Sequence, residues 1–531
     1  MGWGRGGVGP PRIVFLPVPN PSGASWPRPA GLAPRPLTEV AGRLGSAVHG
    51  PAAAGIAVTG VTLDSRSVRP GDLYAAVAGA TVHGADFAAA AAAGGAVACL
   101  TDEAGAARCQ AAGLPTLVVP GPRAVLGSLS AWVYGEPAEA LTMLGITGTN
   151  GKTTTAYLLE SGLRGAGYPT GLIGTIETRI GDEVLPSERT TPEAPELQAL
   201  LAVMRERGVT AVAMEVSSHA LAMGRVDGTV YDVAGFTNLS EDHLDFHADL
   251  EEYFQVKASL FTPLRSRQAV VDVDDDHGRR LVDLATVPVT TLSPAGRPAD
   301  WRVEDVVAGP DGTTFDLQSP DGTRVPCSTA LAGDFNLANA ALAVAMLVTA
   351  GLPAQEAAAG VAACPGVPGR MERVPVEGGP VALVDYAHSP DALERLLVTA
   401  RGLAGDGRLV LVVGCGGDRD RHKRPAMGAI AARGADVVVL TSDNPRAEDP
   451  AAILVAVHEG AEQARADGAR GEVLVEVDRR SAIRTAVGLA GPSDVVVVAG
   501  KGHEQGQETN GVVTPFDDRV ELRAALQAAR S

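Results

Sequence analysis

The residues with the clearest chemical capability lie in a glycine-rich stretch, Gly145 to Thr154 (GITGTNGKTT). Backbone N–H groups around Gly148 and Gly151 can bind phosphate groups, and a following helix N-terminus adds positive potential. Lys152 can reach the outer phosphates of a nucleotide, and the Thr153 hydroxyl can join the shell of a Mg²⁺ ion. The stretch predicts an ATP site at Gly148, Thr149, Asn150, Gly151, Lys152, Thr153 and Thr154.

One position departs from the general phosphate-loop pattern. That pattern has a glycine five residues before Gly151, and this chain has Ile146 there. Because Gly-Lys-Thr still stands between an apolar strand and a helical segment, the stretch favours a phosphate loop over a generic glycine-rich turn.

Lysine is scarce in this chain. Of 44 basic residues only Lys152, Lys257, Lys423 and Lys501 are lysine. Since arginine evidently serves wherever a plain positive charge is needed, a retained lysine indicates a site that requires a compact amine.

Two further polar clusters follow apolar segments that predict strands. Residues 211–214 lead into Glu215, and residues 233–236 lead into a segment that contains His243. A carboxylate just past a strand in an ATP site commonly holds Mg²⁺, so Glu215 is a candidate metal ligand and His243 a candidate second one. Zinc is less favoured because no cysteine accompanies the histidines.

The candidate site residues follow predicted strands, so they can meet only if those strands end at the same edge of a sheet. Residues 141–370 alternate short apolar strands with helices, which predicts a parallel sheet. In residues 371–531, four predicted strands end in polar loops at 385–388, 414–420, 443–446 and 500–504, which predicts a second binding crevice.

The predicted fold class is three-domain α/β. Residues 1–36, rich in Gly, Pro and Arg, predict a disordered extension. A small α/β domain over 37–140, a central phosphate-loop ATPase over 141–370 and a Rossmann-like α/β domain over 371–531 follow.

Composition limits the function classes. The net charge of −18 argues against a nucleic-acid binder. Five cysteines without metal-ligand spacing fit a reducing compartment, and no apolar run reaches the ~20 residues of a membrane span. We therefore expect a soluble, cytoplasmic protein. As a separate prediction, not drawn from composition, we expect a monomer.

Taken together, the motifs resemble those of the Mur ligases, which form amide bonds in peptidoglycan precursors with ATP. The resemblance extends from about Leu37 to the C-terminus and depends on GTNGKTT, EVSSH, TNLS-x-DHLD, GRME, DYAH and GKGHE, in that order. It is greatest for the members that extend UDP-N-acetylmuramoyl-L-alanyl-D-glutamate by the third residue of the stem peptide. Their known three-domain organisation matches the division above.

The resemblance implies a reaction and a set of residue roles. A substrate carboxylate attacks the γ-phosphate of ATP, and an amine then displaces phosphate from the resulting acyl phosphate. Lys152, Glu215, His243 and Lys257 are the implied catalytic residues, with Lys257 carbamylated by CO₂. Mg²⁺ is the implied cofactor, held by Thr153, Glu215, His243 and Lys257, while Asn336 matches a position near adenine and Arg370 and Asp385 match positions near phosphate and ribose.

The resemblance also implies where the two other substrates bind. Leu63, Ser65, Ala80, Thr81 and Val82 match uridine-side positions, and Thr190, Thr191, Ser217 and Arg225 match contacts to the muramoyl dipeptide. Met223 replaces the glutamine of related members. Asp443-Asn444-Pro445-Arg446 resembles the signature for meso-2,6-diaminopimelate, whose second carboxylate suits the planar fork of an arginine. The implied contacts are Arg419, Asp443, Asn444, Pro445, Arg446, Gly500 and Glu504, with the arginines on carboxylates and Glu504 on an ammonium group.

Four alternatives remain open from the sequence. An L-lysine-adding ligase is disfavoured by the 443–446 signature, and a folylpolyglutamate synthetase by the segment 56–84. A phosphate-loop kinase would transfer phosphate without needing an amine. A non-catalytic nucleotide-binding scaffold is disfavoured because Lys152, Thr153, Glu215, His243 and Lys257 are all intact.

Overall fold

Three sheets of mainly parallel strands organise the chain. The computed structural model describes residues 26–51, 54–79, 81–243, 246–309, 312–418 and 420–530. Over the described residues, no helix combines the length and the apolar character needed to cross a membrane.

The N-terminal sheet has five strands in the order β2-β7-β6-β5-β4, parallel except for β2. A two-stranded ladder joins β1 to β3. The strands are β1 Arg35–Pro36, β2 Val48–His49, β3 Ala57–Val58, β4 Gly60–Thr62, β5 Asp72–Ala76, β6 Ala98–Thr101 and β7 Thr116–Val118. The helices are α1 Leu37–Leu44, α2 Ala88–Ala93, α3 Glu103–Ala111 and α4 Pro122–Val133, with 3₁₀ turns at Gly84–Phe87 and Pro137–Ala140.

The central sheet has eleven strands in the order β11-β10-β9-β12-β8-β13-β14-β15-β16-β17-β18. The strands are β8 Thr142–Thr147, β9 Thr170–Ile173, β10 Glu177–Ile180, β11 Glu183–Pro186, β12 Ala211–Glu215, β13 Tyr231–Phe236, β14 Ser266–Asp272, β15 Val289–Ser293, β16 Trp301–Gly309, β17 Gly312–Gln318 and β18 Arg324–Thr329. The helices are α5 Lys152–Gly165, α6 Ala194–Glu206, α7 Ser218–Ala222, α8 Leu250–Ala258, α9 Asp276–Leu284, α10 Asp334–Thr349 and α11 Ala354–Ala362. The run from β9 to β16 is parallel, as the sequence predicts, and antiparallel strands extend both edges.

The C-terminal sheet has six strands in the order β19-β20-β24-β21-β22-β23, and a separate hairpin pairs β25 with β26. The strands are β19 Glu372–Arg373, β20 Val381–Asp385, β21 Leu409–Val413, β22 Val437–Leu440, β23 Glu472–Val475, β24 Val495–Ala499, β25 Gly506–Thr509 and β26 Val512–Pro515. The helices are α12 Pro390–Ala404, α13 Lys423–Gly434, α14 Pro450–Ala466, α15 Arg479–Leu489 and α16 Asp518–Ala528. The continuous apolar runs of β21, β22 and β24 are fully buried because helices cover both faces of this sheet.

The predicted disorder of residues 1–36 is wrong for residues 26–36. Arg28 Nη2 lies 3.2 Å from a buried Asp72 carboxylate, and the backbone N–H groups of Ala30 and Gly31 donate to Glu206 at 3.0 and 2.7 Å. Leu32 packs beside the buried ring of Tyr134. The segment is held by isolated contacts with residues that are far away in the chain. Such contacts produce no periodic pattern in the sequence. Residues 1–25 lie outside the described part of the chain.

A buried ion pair joins α15 to α16 beneath two loops of the C-terminal sheet. Arg479 Nε and Nη2 donate to the two carboxylate oxygens of Asp518, both at 2.7 Å, and neither side chain is exposed. Arg479 also donates to the carbonyl oxygens of Ser442 at 3.2 Å and Ala499 at 2.8 Å. The pair therefore fixes the backbone just before the loops that start at Asp443 and Gly500.

Asp518→Ala leaves the Arg479 charge buried without its partner, so we expect it to lower the free energy of unfolding by about 3–5 kcal/mol. Urea denaturation followed by circular dichroism measures this loss. Glu521→Ala is the matched control, because its pair with Arg480 lies at the surface and is worth about 1 kcal/mol or less. Equal losses in the two variants would contradict the assigned role of the buried pair.

Candidate active site

The phosphate loop and both predicted polar clusters lie at one edge of the central sheet. Strand β8 lies between β12 and β13, with Glu215 opposite Ile146 and Phe236 opposite Thr147 in register. The three strands are parallel, so their carboxyl ends meet and bring the following residues together. The convergence predicted from the sequence is therefore present.

Two glycines allow the loop after β8 to turn into α5. Gly148 has φ +147°, and a Cβ there would lie 1.8 Å from Thr237 Oγ1. Gly151 has φ +90°, and its Cβ would lie 2.3 Å from Asn339 Oδ1. Because both backbone conformation and space exclude a side chain, the loop passes close to the next strand and α5 begins at Lys152.

Two lysine amines share one carbonyl oxygen in this loop. Lys152 Nζ donates to Gly148 O at 2.9 Å and to Thr149 O at 2.8 Å, and Lys257 Nζ donates to Gly148 O at 2.7 Å. Lys257 is 1% exposed and lies over the Tyr253 ring. Burial lowers the pKa of Lys257 well below its usual range, and the neighbouring Lys152 charge lowers that pKa further. Burial also lowers the pKa of Lys152, opposed by Glu215 and Asp242.

Glu215 is a buried carboxylate with neutral hydrogen-bond donors. Thr153 Oγ1 donates to Glu215 Oε2 at 3.0 Å, and Thr175 donates to the two carboxylate oxygens through its backbone N–H at 2.7 Å and its hydroxyl at 3.1 Å. Glu215 is 1% exposed. Since hydroxyl and carboxylate oxygens are the ligands that Mg²⁺ prefers, Thr153 and Glu215 fit a Mg²⁺ ion.

His243 lies at the same edge, in the left-handed region at φ +58°. The centroid of its ring lies 5.0 Å from that of His219. His243 Nε2 lies 3.6 Å from Asp242 Oδ2. Partial burial lowers the pKa of His243 to about 4, so the ring is neutral at physiological pH and able to ligate a metal. In the described part of the chain, no group of three or more His, Cys, Asp or Glu side chains is arranged to hold a metal ion.

Residues that flank the first strands of the C-terminal sheet contact the phosphate loop. Arg370 Nη2 donates to Thr153 Oγ1 at 3.3 Å, and its guanidinium lies over the Tyr386 ring. The Asp391 carboxylate accepts from Asn150 Nδ2 at 3.0 Å and from Ser240 Oγ at 3.1 Å. These contacts close the C-terminal sheet over the strand-end edge of the central sheet.

A cavity of about 280 Å³ lies between the two sheets. Its lining includes Asn150, Gly151, Thr154, Asn339, Arg370, Asp385, Tyr386 and His388. Asp385 accepts from the backbone N–H groups of Met371 at 2.7 Å and Ala387 at 2.8 Å, while burial raises its pKa. Asn336, predicted near adenine, is buried one helical turn from Asn339, which donates to it at 3.3 Å. Lys423 Nζ, from α13, donates to the His388 carbonyl at 2.8 Å.

Three of the four residues predicted for the muramoyl dipeptide lie close to Glu215. The Thr190 hydroxyl lies 3.0 Å from that of Thr175, Thr191 Oγ1 donates to the Glu215 carbonyl at 2.8 Å, and the Ser217 N–H donates to Thr191 Oγ1 at 3.2 Å. Arg225 Nε lies 2.8 Å from a Glu193 carboxylate oxygen. Met223 directly follows α7 as its C-cap residue.

The uridine-side residues lie in the N-terminal part of the chain. Leu63 and Ser65 are half-buried, Leu63 against the core of the N-terminal sheet, while Thr81 and Val82 are exposed. Among the described residues these four side chains make no hydrogen bond or ion pair to the strand-end clusters. Ala80 lies outside the described residues.

A buried lysine links two of the predicted diaminopimelate contacts. Lys501 Nζ donates to Asn444 Oδ1 and Glu504 Oε2, both at 2.9 Å, and Asn444 Nδ2 donates to the same Glu504 oxygen at 2.8 Å. Asp443 lies against Gly500, where a Cβ would be 2.6 Å from Asp443 Oδ2. The strand ends of β22 and β24 thus present one charged cluster.

Arg446, the last residue of the 443–446 signature, contacts the loop that follows β21. It has φ +53°, and its Nη1 donates to Gly417 O at 2.7 Å. Gly417 also leaves no space for a side chain, since a Cβ would lie 1.9 Å from Pro445 O. Arg419 lies outside the described residues.

The sequence analysis assigned no individual role to several residues that lie at the site. They are Thr175, Asn339, Tyr386, Asp391 and Lys501. The scarcity of lysine was the signal for Lys501, and Tyr386 lies within DYAH. Thr175 and Asp391 occur in no spacing that predicts chemistry.

The three regions of the chain match three Mur ligase domains. Residues 57–134 match the catalytic domain of the Mur ligase family, residues 146–347 the Mur ligase middle domain, and residues 369–502 the glutamate ligase domain of Mur ligases. The chain belongs to the Mur ligase family. The ligase is 59% identical over 503 residues to the UDP-N-acetylmuramoyl-L-alanyl-D-glutamate--2,6-diaminopimelate ligase of Streptomyces coelicolor, covering 94% of this chain and 98% of the relative.

Solved structures of Mur ligases have the same fold. A UDP-N-acetylmuramoyl-L-alanyl-D-glutamate--2,6-diaminopimelate ligase matches with a TM-score of 0.64 and 35% identity over 90% of this chain and 96% of that one. The MurF ligase of Thermotoga maritima, solved in complex with ADP, matches with a TM-score of 0.60 and 18% identity over 89% of this chain and 98% of that one, a likeness of fold alone. The predicted three-domain α/β fold with parallel sheets is confirmed.

Proposed function

We propose that this ligase joins meso-2,6-diaminopimelate to UDP-N-acetylmuramoyl-L-alanyl-D-glutamate, with conversion of ATP to ADP and phosphate. Similarity to the Streptomyces coelicolor ligase over 94% of the chain carries the proposal. The cluster of Asn444, Lys501 and Glu504 at the edge of the C-terminal sheet supports an amino-acid substrate that carries both charges. The reaction would be a step of peptidoglycan precursor synthesis. We propose that the enzyme works in the cytoplasm as a monomer.

The reaction needs an activated carboxylate. A carboxylate oxygen of the substrate attacks the γ-phosphorus of ATP, the bond to the bridging oxygen of ADP breaks, and an acyl phosphate forms. The neutral amine of the incoming amino acid then attacks the acyl carbon, inorganic phosphate leaves, and the nitrogen loses its proton. Two anions meet in the first step, so Lys152, Arg370 and the N–H groups of the phosphate loop neutralise charge in the transition state.

We infer that Thr153, Glu215, His243 and carbamylated Lys257 hold Mg²⁺. The ion would supply positive charge at the phosphate oxygens that carry the developing negative charge. Thr153 and Glu215 offer adjacent oxygens, and the neutral His243 ring offers a nitrogen.

The environment of Lys257 supports carbamylation. Carbamate formation joins the amine nitrogen to the carbon of CO₂ and releases a proton, and only the neutral amine reacts. The lowered pKa of Lys257 favours that neutral form. An anionic carbamate would also remove the repulsion between two amines that share the Gly148 carbonyl.

The remaining assignments complete the substrate sites. The cavity between the sheets suits a nucleoside, with Asn336 toward adenine, Arg370 toward phosphate and Asp385 toward ribose. Uridine contacts are assigned to Leu63, Ser65, Ala80, Thr81 and Val82, and dipeptide contacts to Thr190, Thr191, Ser217 and Arg225. Diaminopimelate contacts are assigned to Arg419, Asp443, Asn444, Pro445, Arg446, Gly500 and Glu504. We divide the chain into domains at residues 37–140, 141–370 and 371–531.

Phosphate release tests the proposal directly. With ATP, Mg²⁺ and UDP-N-acetylmuramoyl-L-alanyl-D-glutamate present, we expect phosphate only when meso-diaminopimelate is added, and none above background with L-lysine. Phosphate release with lysine would keep the ligase and overturn the amino-acid specificity. ATP consumption that needs no amine would instead indicate a kinase, and a complete lack of turnover would indicate a scaffold.

A further inference from the structure

The hairpin of β25 and β26 contacts the 443–446 signature. Gln507 Nε2 donates to the Asp443 carbonyl at 2.7 Å, and the Glu508 N–H donates to Asn444 Oδ1 at 3.0 Å. Asn444 Oδ1 therefore accepts from the hairpin and from Lys501 together. The orientation of the Asn444 amide, and hence of the Nδ2 that faces Glu504, depends on the hairpin.

The same hairpin holds the backbone of Arg446 from both sides. The Arg446 N–H donates to the Glu508 carbonyl at 3.0 Å, and the Asn510 N–H donates to the Arg446 carbonyl at 2.6 Å. Arg446 is in the left-handed region, which a side-chain-bearing residue adopts only when its surroundings impose it. The hairpin is thus the element that keeps Arg446 in this conformation.

The Arg446 side chain is oriented by the hairpin as well. Its Nε lies 3.6 Å from Glu508 Oε2, while its Nη1 donates to Gly417 O. The guanidinium is therefore held between the loop after β21 and the first strand of the hairpin. On the outer strand, the side chains of Val512 and Val513 point to solvent and are 62% and 65% exposed.

We propose that Gln507 and Glu508 are positioning residues that set the specificity of the amino-acid site. Gln507 fixes the backbone at Asp443, and Glu508 fixes the guanidinium of Arg446, so that the fork meets the distal carboxylate of the incoming amino acid. The inference rests on the proposed function, because it acts through the contact assigned to Arg446. Neither side chain needs to touch the reacting atoms.

The test compares Glu508→Gln and Gln507→Met, which keep size and remove a charge or a donor. We expect the KM for meso-diaminopimelate to rise about tenfold in each, because Gln507→Met removes a hydrogen bond to the Asp443 carbonyl and Glu508→Gln removes the charge that orients the Arg446 guanidinium. The kcat and the KM for ATP should stay within about twofold, since, over the described residues, the contacts of both side chains are with the 443–446 signature and not with the phosphate loop. Val513→Thr on the outer strand and Glu521→Gln on α16 are controls expected to match the parent enzyme.

A double-mutant cycle shows whether Glu508 acts through Arg446. In an Arg446→Ala background, we expect Glu508→Gln to change the KM for diaminopimelate by less than about twofold. An undiminished tenfold effect in that background, or an unchanged KM in the single variants, would overturn the inference. A normal KM for diaminopimelate in Arg446→Ala alone would instead overturn the assignment of Arg446 on which it rests. Loss of kcat together with an increase in both KM values would show a merely structural role.

Discussion

The Lys257→Arg variant will release phosphate about 10²–10³-fold more slowly than the parent enzyme, the usual cost of removing one group that stabilises transition-state charge. Arginine keeps a positive charge but cannot form a carbamate, and its larger fork must fit at a position where Lys257 is only 1% exposed. Steady-state phosphate release with saturating diaminopimelate measures the effect.

Chemical rescue separates the carbamate from a simple loss of packing. Lys257→Ala leaves room for a small carboxylate beside Gly148, so millimolar acetate or propionate should restore part of the rate. No rescue by either acid, combined with near-parental activity of Lys257→Arg, would show that a cation rather than an anion is needed at this position.

Arg446→Lys will raise the KM for meso-diaminopimelate by roughly thirtyfold or more, equivalent to about 2 kcal/mol or more for one lost charge-assisted contact. A lysine retains the charge but not the planar pair of donors, and it cannot also reach Gly417 O and Glu508 in the geometry of the guanidinium. Initial rates over a range of diaminopimelate concentrations provide the measurement.

Arg401→Lys is a matched control, since Arg401 lies in the same domain and pairs with Asp436 just before β22, at the opposite end of that strand from the 443–446 signature. Its KM for diaminopimelate should remain close to that of the parent. If Arg446→Lys also kept a parental KM, the distal carboxylate would have to be recognised elsewhere, and the reading of the signature would be wrong.

The polar residues at the strand ends of the central sheet could be predicted from the sequence. Apolar runs that end at Glu215 and Phe236 are parallel strands on either side of β8, so adjacency along a sheet follows from their pattern. The glycines at 148 and 151 could be assigned to a phosphate loop from the motif alone, and in the structure their positive φ values and close neighbours exclude a Cβ. These features are local or follow from the general rules of parallel sheets.

Contacts between distant segments could not be predicted in this way. Asp391 reaches Asn150 and Ser240 only because the C-terminal sheet closes over the phosphate loop, and no local pattern encodes that closure. Thr175 supports Glu215 from a loop between β9 and β10. The segment 26–36 reads as disordered because its partners, such as Glu206, are far away in the chain.

The distribution of lysine has a practical consequence for labelling. Lys257 and Lys501 are buried, while Lys152 and Lys423 are half-buried and donate to carbonyl oxygens beside the cavity. Reagents that acylate amines therefore meet few side-chain targets on the outer surface. Modification by such a reagent would report on the catalytic crevice itself, whereas immobilisation for binding studies is better directed at an added tag.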